Sequence, residues 1–354
     1  MGRPKKEQVE EEVEVKQETS KKLANPVQAG LLNLMDKHVE DHLNYEEEVY
    51  YLISTGSLMW DMELGGGLMP GLHRFAGVTE SGKTSSALEV ARNFQNFHQE
   101  KGRILFIKAE GRLSREIMKR CGLKFTTKIE EWDKDTVFIL ESNTYEFVIN
   151  FMKEMVNNNE SNFRYCILLD SMDGLVPKND KAKPIEEGQR VAGNPALTKR
   201  LMQAISDKMA KRGHMFIPIS QHTSEIKLNP YAPSEYRPVA SSGGNSLSHF
   251  STFMFEFDRP INSEKILKNP SKPFGPENPA VGHYCRLRFR KSANEKDDVL
   301  VRYPIKHGAI GQSSIWREKE IADFALANGL VKKAGAWFKV DESFRAELKG
   351  AGFE

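Results

Sequence analysis

Gly77-Val78-Thr79-Glu80-Ser81-Gly82-Lys83-Thr84 and, farther along the chain, Tyr165-Cys166-Ile167-Leu168-Leu169-Asp170 have the residue types of a nucleoside triphosphate site. The first run fits G-x-x-x-x-G-K-[ST], in which Gly77 and Gly82 let the backbone wrap a polyphosphate with successive N–H groups turned inward. Lys83 then reaches the β- and γ-phosphates, and Thr84 offers its hydroxyl to Mg²⁺. Val78, Thr79, Glu80, Ser81 and Ser85 complete the loop and the first helical turn around the nucleotide. The second run is apolar and ends in an acid, as when a buried parallel strand delivers a carboxylate to a metal at its C-terminal end. Asp170 is that carboxylate.

Such a loop needs a strand before it and a helix behind it. Gly71 to Ala76 can form the strand, and Ser85 to Phe97 sets Leu88, Ala91, Phe94 and Phe97 at helical spacing. Short apolar strands at Ile104 to Lys108, Val137 to Leu140, Tyr165 to Leu169 and Met215 to Ser220 alternate with helical segments such as Pro195 to Lys211. That alternation predicts an α/β fold with a mainly parallel, doubly wound sheet. Tyr284 to Arg290 and Val299 to Tyr303 alternate with period two around a charged loop, which predicts an antiparallel hairpin closing the sheet. Tyr303, on that hairpin, is expected among the nucleotide contacts. A short helix over Glu318 to Asn328 leads to Gly329 and a small C-terminal segment.

Asn25-Pro26 reads as a helix N-cap and first helical residue, with Leu31, Leu34, Met35, His38 and Val39 as an apolar stripe. A stripe ahead of a domain fits docking on a neighbouring protomer and equally packing on its own domain. Before it, Met1 to about Leu23 is almost all Lys, Glu, Gln, Val and Ser, a composition expected to stay disordered. Gly2-Arg3-Pro4-Lys5-Lys6 within it resembles one short copy of a minor-groove hook. The expected organisation is a charged tail over 1–24, a helix within 25–49, an ATPase core over 50–312 and a small segment over 313–354.

The 354 residues, 39% hydrophobic and 28% charged, can bury one large core, and no run approaches the ~18 apolar residues of a membrane span. The charged N-terminus lacks an apolar signal region. Cys121, Cys166 and Cys285 are odd in number and lack metal-ligand spacing, so reduced thiols in the cytoplasm are expected. A formal net charge of +2 neither demands nor excludes nucleic acid, so a DNA-binding reading must rest on local features.

Several further segments resemble the RecA family of recombinases, in order, from Leu52 to Lys339. Ile53-Ser54-Thr55-Gly56-Ser57-Leu58 with Asp61 resembles the lead-in to the family's core, and Phe106-Ile107-Lys108-Ala109-Glu110 the strand bearing its catalytic glutamate. Ile219-Ser220-Gln221 resembles the strand end that senses the γ-phosphate. Gly243-Gly244-Asn245-Ser246-Leu247 and Lys333-Ala334-Gly335-Ala336-Trp337-Phe338 resemble two later family segments. The resemblance implies a RecA-like P-loop ATPase core using ATP and Mg²⁺. Glu110, expected on a strand next to that of the phosphate loop, would polarise the attacking water, and Lys83 with Mg²⁺ would neutralise the transferred phosphoryl. Gln221 can report on the γ-phosphate because its amide both donates and accepts.

Two polar stretches match the family's DNA loops. Lys178 to Pro195 carries Lys178, Lys181, Lys183 and Arg190; His222 to Ser242 is long and proline-punctuated, with Lys227 and Arg237 available to phosphates and Ile226 where the family inserts an apolar residue between bases. Gly243, Gly244 and Asn245 close the second loop. The implied partners are single- and double-stranded DNA, further copies in a helical filament, and single-strand-binding and loader proteins. Lys291 matches a lysine that reaches a neighbour's nucleotide. The departures are Lys108 in place of an acid, Ser248-His249 in place of a Lys-Phe pair, Ala293 in place of a second interface lysine, and a short C-terminal region without an acidic tail. They favour a phage-encoded, UvsX-like member. A hexameric helicase on the same core and a nucleotide-gated partner-binding switch are the alternatives to strand exchange.

Overall fold

The computed structural model describes residues 25–111, 113–159, 162–181, 195–221, 244–259, 261–296, 298–308, 313–335 and 337–352. These fall into two compact units, one ending at Glu48 and one beginning at Val49. In the first, α1 (Pro26–Lys37) starts where expected: the Asn25 side chain accepts the Val27 N–H at 2.9 Å, and Pro26 occupies the first turn, where an N–H has no helical partner. Leu31 and Leu34 are each more than half exposed. His38 and Val39 lie beyond the helix end, so the stripe is shorter than its sequence spacing predicts.

The second unit is built on a ten-stranded sheet. Its elements run α2 (Leu58–Leu64), β1 (Gly71–Gly77), α3 (Lys83–His98), β2 (Gly102–Lys108), α4 (Arg115–Arg120), β3 (Lys124–Thr126), β4 (Thr136–Glu141), α5 (Tyr145–Asn157), β5 (Arg164–Asp170), α6 (Lys178–Lys181) and α7 (Pro195–Lys211). There follow β6 (Met215–Gln221), α8 (Gly244–Phe250), β7 (Phe253–Phe257), β8 (Lys265–Leu267), β9 (Ala280–Lys291), β10 (Leu300–Lys306), α9 (Arg317–Ala327), β11 (Val331–Ala334), β12 (Trp337–Val340) and α10 (Glu342–Gly350). The sheet order is β10-β9-β7-β1-β6-β5-β2-β4-β3, with β8 on β9 and a separate β11-β12 pair. Strands β7 to β3 in that order pair in parallel, and β9 and β10 form the expected antiparallel hairpin. The mixed α/β architecture follows from the alternation of apolar strands and amphipathic helices.

Every residue of β1 is buried, because helices cover both faces of a parallel sheet. On α3, Leu88, Ala91 and Phe94 are fully buried whereas Phe97, in the last turn, is 57% exposed. Phe253, Phe255 and Phe257 alternate inward from β7, and Phe255 and Phe257 with Phe75 pack around Trp60. Glu320 of α9, 3% exposed, accepts the N–H groups of Leu58 and Met59 at 3.0 and 3.2 Å and the Ser57 hydroxyl, capping α2. Residues 313–352 thereby join the second unit.

Two fully buried histidines make the unit acid-sensitive. Burial holds His73 down to about 4 and His214 to about 3; their rings engage the Met69 carbonyl and the Tyr165 N–H. In the unfolded chain both titrate near 6.5, so their contribution is complete above that pH and is lost progressively as pH falls below it. At pH 5 each should cost about 2 kcal/mol of stability. The half-buried Asp170 and Asp173, raised by desolvation, act in the opposite sense, so comparison with His73→Leu isolates the effect. Urea titrations should show a shallower fall in stability from pH 7 to 5 in the variant; parallel curves would remove His73 as the cause.

Candidate active site

The segment between β1 and α3 curls back on itself, with φ of +150° at Gly77, +61° at Glu80 and +96° at Gly82. A side chain at Gly77 would meet the Phe257 carbonyl oxygen at 2.4 Å, so only glycine lets the loop leave the sheet here. The Lys83 ammonium lies inside the curl, donating to the carbonyls of Gly77 (2.9 Å) and Val78 and to Ser81 Oγ (3.4 Å). Burial lowers its pKa, while Asp170 and Asp173 favour its charged form. Cys285 Sγ donates to the Ser81 carbonyl at 3.2 Å from beneath, bracing the loop against β9.

Thr84 Oγ1 donates to Asp170 Oδ2 at 2.7 Å. A hydroxyl and a carboxylate at that separation are the hard oxygen donors that Mg²⁺ takes from a protein when substrate phosphates and water supply the rest. Among the described residues no group of three or more His, Cys, Asp or Glu could enclose a metal ion. Burial raises Asp170, the Thr84 hydrogen bond and Lys83 oppose that, and the charge of Glu110 adds to it. A cation placed here would relieve this crowding, so the residues fit the ion.

Glu110 reaches the same cluster by a different route from the expected one. Its strand, β2, is not next to β1; β6 and β5 lie between them. The carboxylate gets there from the turn after β2, where Glu110 Oε2 accepts from Gln221 Nε2 at 3.2 Å. Gly174 makes room for it, because a side chain there would stand 2.2 Å from Glu110 Cγ. Gln221 in turn accepts from Thr79 Oγ1 at 3.4 Å, and its N–H donates to Asp173 Oδ2 at 2.6 Å. The Gly77–Thr84 loop, the Thr84–Asp170 pair, Glu110 and Gln221 therefore converge at the C-terminal edge of the parallel strands, where open α/β sheets bind ligands. Asp173 belongs to this cluster and escaped sequence reading; its signal was its position three residues after Asp170.

Tyr303 requires a correction. It is fully buried, its hydroxyl 2.7 Å from Ser86 Oγ and its ring stacked 5.8 Å from Trp60, so it supports α3 from behind and cannot touch a nucleotide. Ser85 follows Thr84 on α3 and accepts from Arg120 at 2.9 Å. Lys291 stands apart from the phosphate loop of its own chain: Nζ donates to the carbonyls of Ser248 (2.9 Å) and His249 (2.7 Å) at the end of α8. Lys178 and Lys181 lie on the single turn α6, tied to Glu146 and Thr144, and Lys108 pairs with Glu141. Gly244 and Asn245 open α8. Lys183, Arg190, Ile226, Lys227, Arg237 and Gly243, with the whole 222–242 stretch and the 1–24 tail, lie outside the described residues.

A family model described as the RecA N-terminal domain matches residues 36–272. Among curated relatives, Protein RecA of Bordetella petrii is 29% identical over 301 residues, covering 83% of this chain and 73% of its own. Protein RecA of Bifidobacterium longum is 28% identical over 314 residues, covering 87% and 68%, and that of Mycobacterium ulcerans 26% over 309, covering 86% and 77%.

Proposed function

Because the chain belongs to the RecA family as a RecA-type recombination and repair protein, we propose that it hydrolyses ATP while polymerised on single-stranded DNA, pairing that strand with a homologous duplex. The observation that carries this reading is the continuity at Gln221: its amide N–H donates to Glu110, its amide oxygen accepts from the loop threonine, and the candidate DNA loop begins at the next residue.

Lys83 would bind the β/γ-phosphates, and Thr84 with Asp170 would hold Mg²⁺, which when bound supplies positive charge to the phosphate oxygens. Glu110 would orient a water and take its proton, with Gln221 positioning both. DNA engaging 222–242 would shift that strand end toward the hydrolytic arrangement. No described helix is long and apolar enough to cross a membrane. Single-stranded DNA should raise ATP turnover by at least about tenfold without strong sequence preference, and electron microscopy with ATP and DNA should show helical filaments. Closed rings under those conditions would favour a helicase, and turnover indifferent to DNA would favour a partner-binding switch.

A further inference from the structure

Arg74 stands in the middle of β1, a strand with no other charged residue, since burial keeps His73 neutral. It is 1% exposed. A guanidinium taken out of water is costly unless its donors find acceptors, and two serine hydroxyls serve here. Nε donates to Ser220 Oγ at 3.2 Å, one residue before Gln221, and Nη1 donates to Ser248 Oγ at 3.3 Å on α8. Asp173, which accepts the Gln221 N–H, is its nearby opposite charge. Ser248 also lends its carbonyl to Lys291. One planar cation thus spans the strand end that carries Gln221 and the helix that starts at Gly244 and holds Lys291 at its other end.

We infer that Arg74 is a positioning residue that couples the state of the nucleotide, read at Gln221, to the placement of α8 and through it to Lys291. The inference rests on the ATPase reading above. A shift of the β6 end moves Ser220, a rigid fork carries the movement to Ser248, and packed elements answer as bodies because interiors are close-packed.

Ser248→Ala removes the acceptor on α8 and leaves Arg74 its Ser220 and Asp173 partners, so no buried charge is stranded. Arg74→Lys keeps the charge but lacks the fork. Both variants should bind a fluorescent ATP analogue within about twofold of wild type and keep their DNA-free turnover, while stimulation by oligothymidylate falls about tenfold, a coupling of roughly 1.4 kcal/mol. Hydrogen exchange over residues 244–250, followed with and without a slowly hydrolysed ATP analogue and Mg²⁺ but no DNA, should slow on nucleotide binding in wild type and not in either variant. Nucleotide-dependent protection retained in both variants overturns the coupling. Protection in wild type that is lost in the variants, with wild-type turnover indifferent to DNA, upholds the coupling and removes the recombinase reading instead.

Discussion

Glu110→Gln is expected to bind ATP and Mg²⁺ within a few-fold of wild type and to hydrolyse it about 10²- to 10⁴-fold more slowly, the range a positioned general base supplies. The substitution is isosteric, so the side chain still fits the space that Gly174 leaves to Glu110 Cγ. The amide oxygen can still accept from Gln221 Nε2, so the 3.2 Å contact and the strand end it fixes survive. What disappears is the capacity to take a proton. Binding should not suffer, since removing one negative charge from a cluster where Glu110 already raises Asp170 eases the approach of a triphosphate. Lys83→Ala should show the opposite division, losing measurable binding because the buried ammonium inside the loop is the charge the phosphates meet. Nucleotide titration beside steady-state turnover separates the two patterns, and undiminished turnover in Glu110→Gln would remove Glu110 from the chemistry.

Where local chemistry decides the structure, the sequence is a good guide. The Asn25 cap with Pro26, the phosphate loop, the apolar run to Asp170 and the period-two hairpin depend on residues close together in the chain, and each stands where its pattern puts it. Strand adjacency has no such local signature. Nothing in β1 or β2 says that β6 and β5 come between them, so the route by which Glu110 joins the site could not be read from its strand. Tyr303 failed for a related reason: alternation says that one face of β10 is buried but not that Trp60, far away in sequence, closes over it. Arg74 was illegible because a charge inside an apolar strand resembles a strand edge until its partners, Ser220 and Ser248, are brought to it by the fold.

Lys291→Ala should suppress DNA-stimulated hydrolysis by about 10²-fold or more if its ammonium stabilises phosphate charge on a neighbouring protomer, the scale on which one preorganised donor acts. The geometry leaves it able to do so: an ammonium has three donors, and the Ser248 and His249 carbonyls take two. The same contacts offer a rival explanation, since Lys291 also caps α8 within its own chain, and losing that cap could disturb β6 through Ser248 and Arg74. Mixing Lys291→Ala with Lys83→Ala separates the two. In a head-to-tail assembly the intact phosphate loop of the first variant meets the intact Lys291 of the second in roughly one interface in four. If the lysine acts between chains, those interfaces recover and part of the turnover returns. If it acts within its chain, every protomer with a sound phosphate loop still has an uncapped α8, and mixed filaments confirmed by microscopy stay inactive. Restored turnover places the Lys291 charge at the neighbour's nucleotide; continued silence assigns it to the end of α8, and Arg290, paired with Glu256 of the adjacent strand β7, becomes the next cation to test.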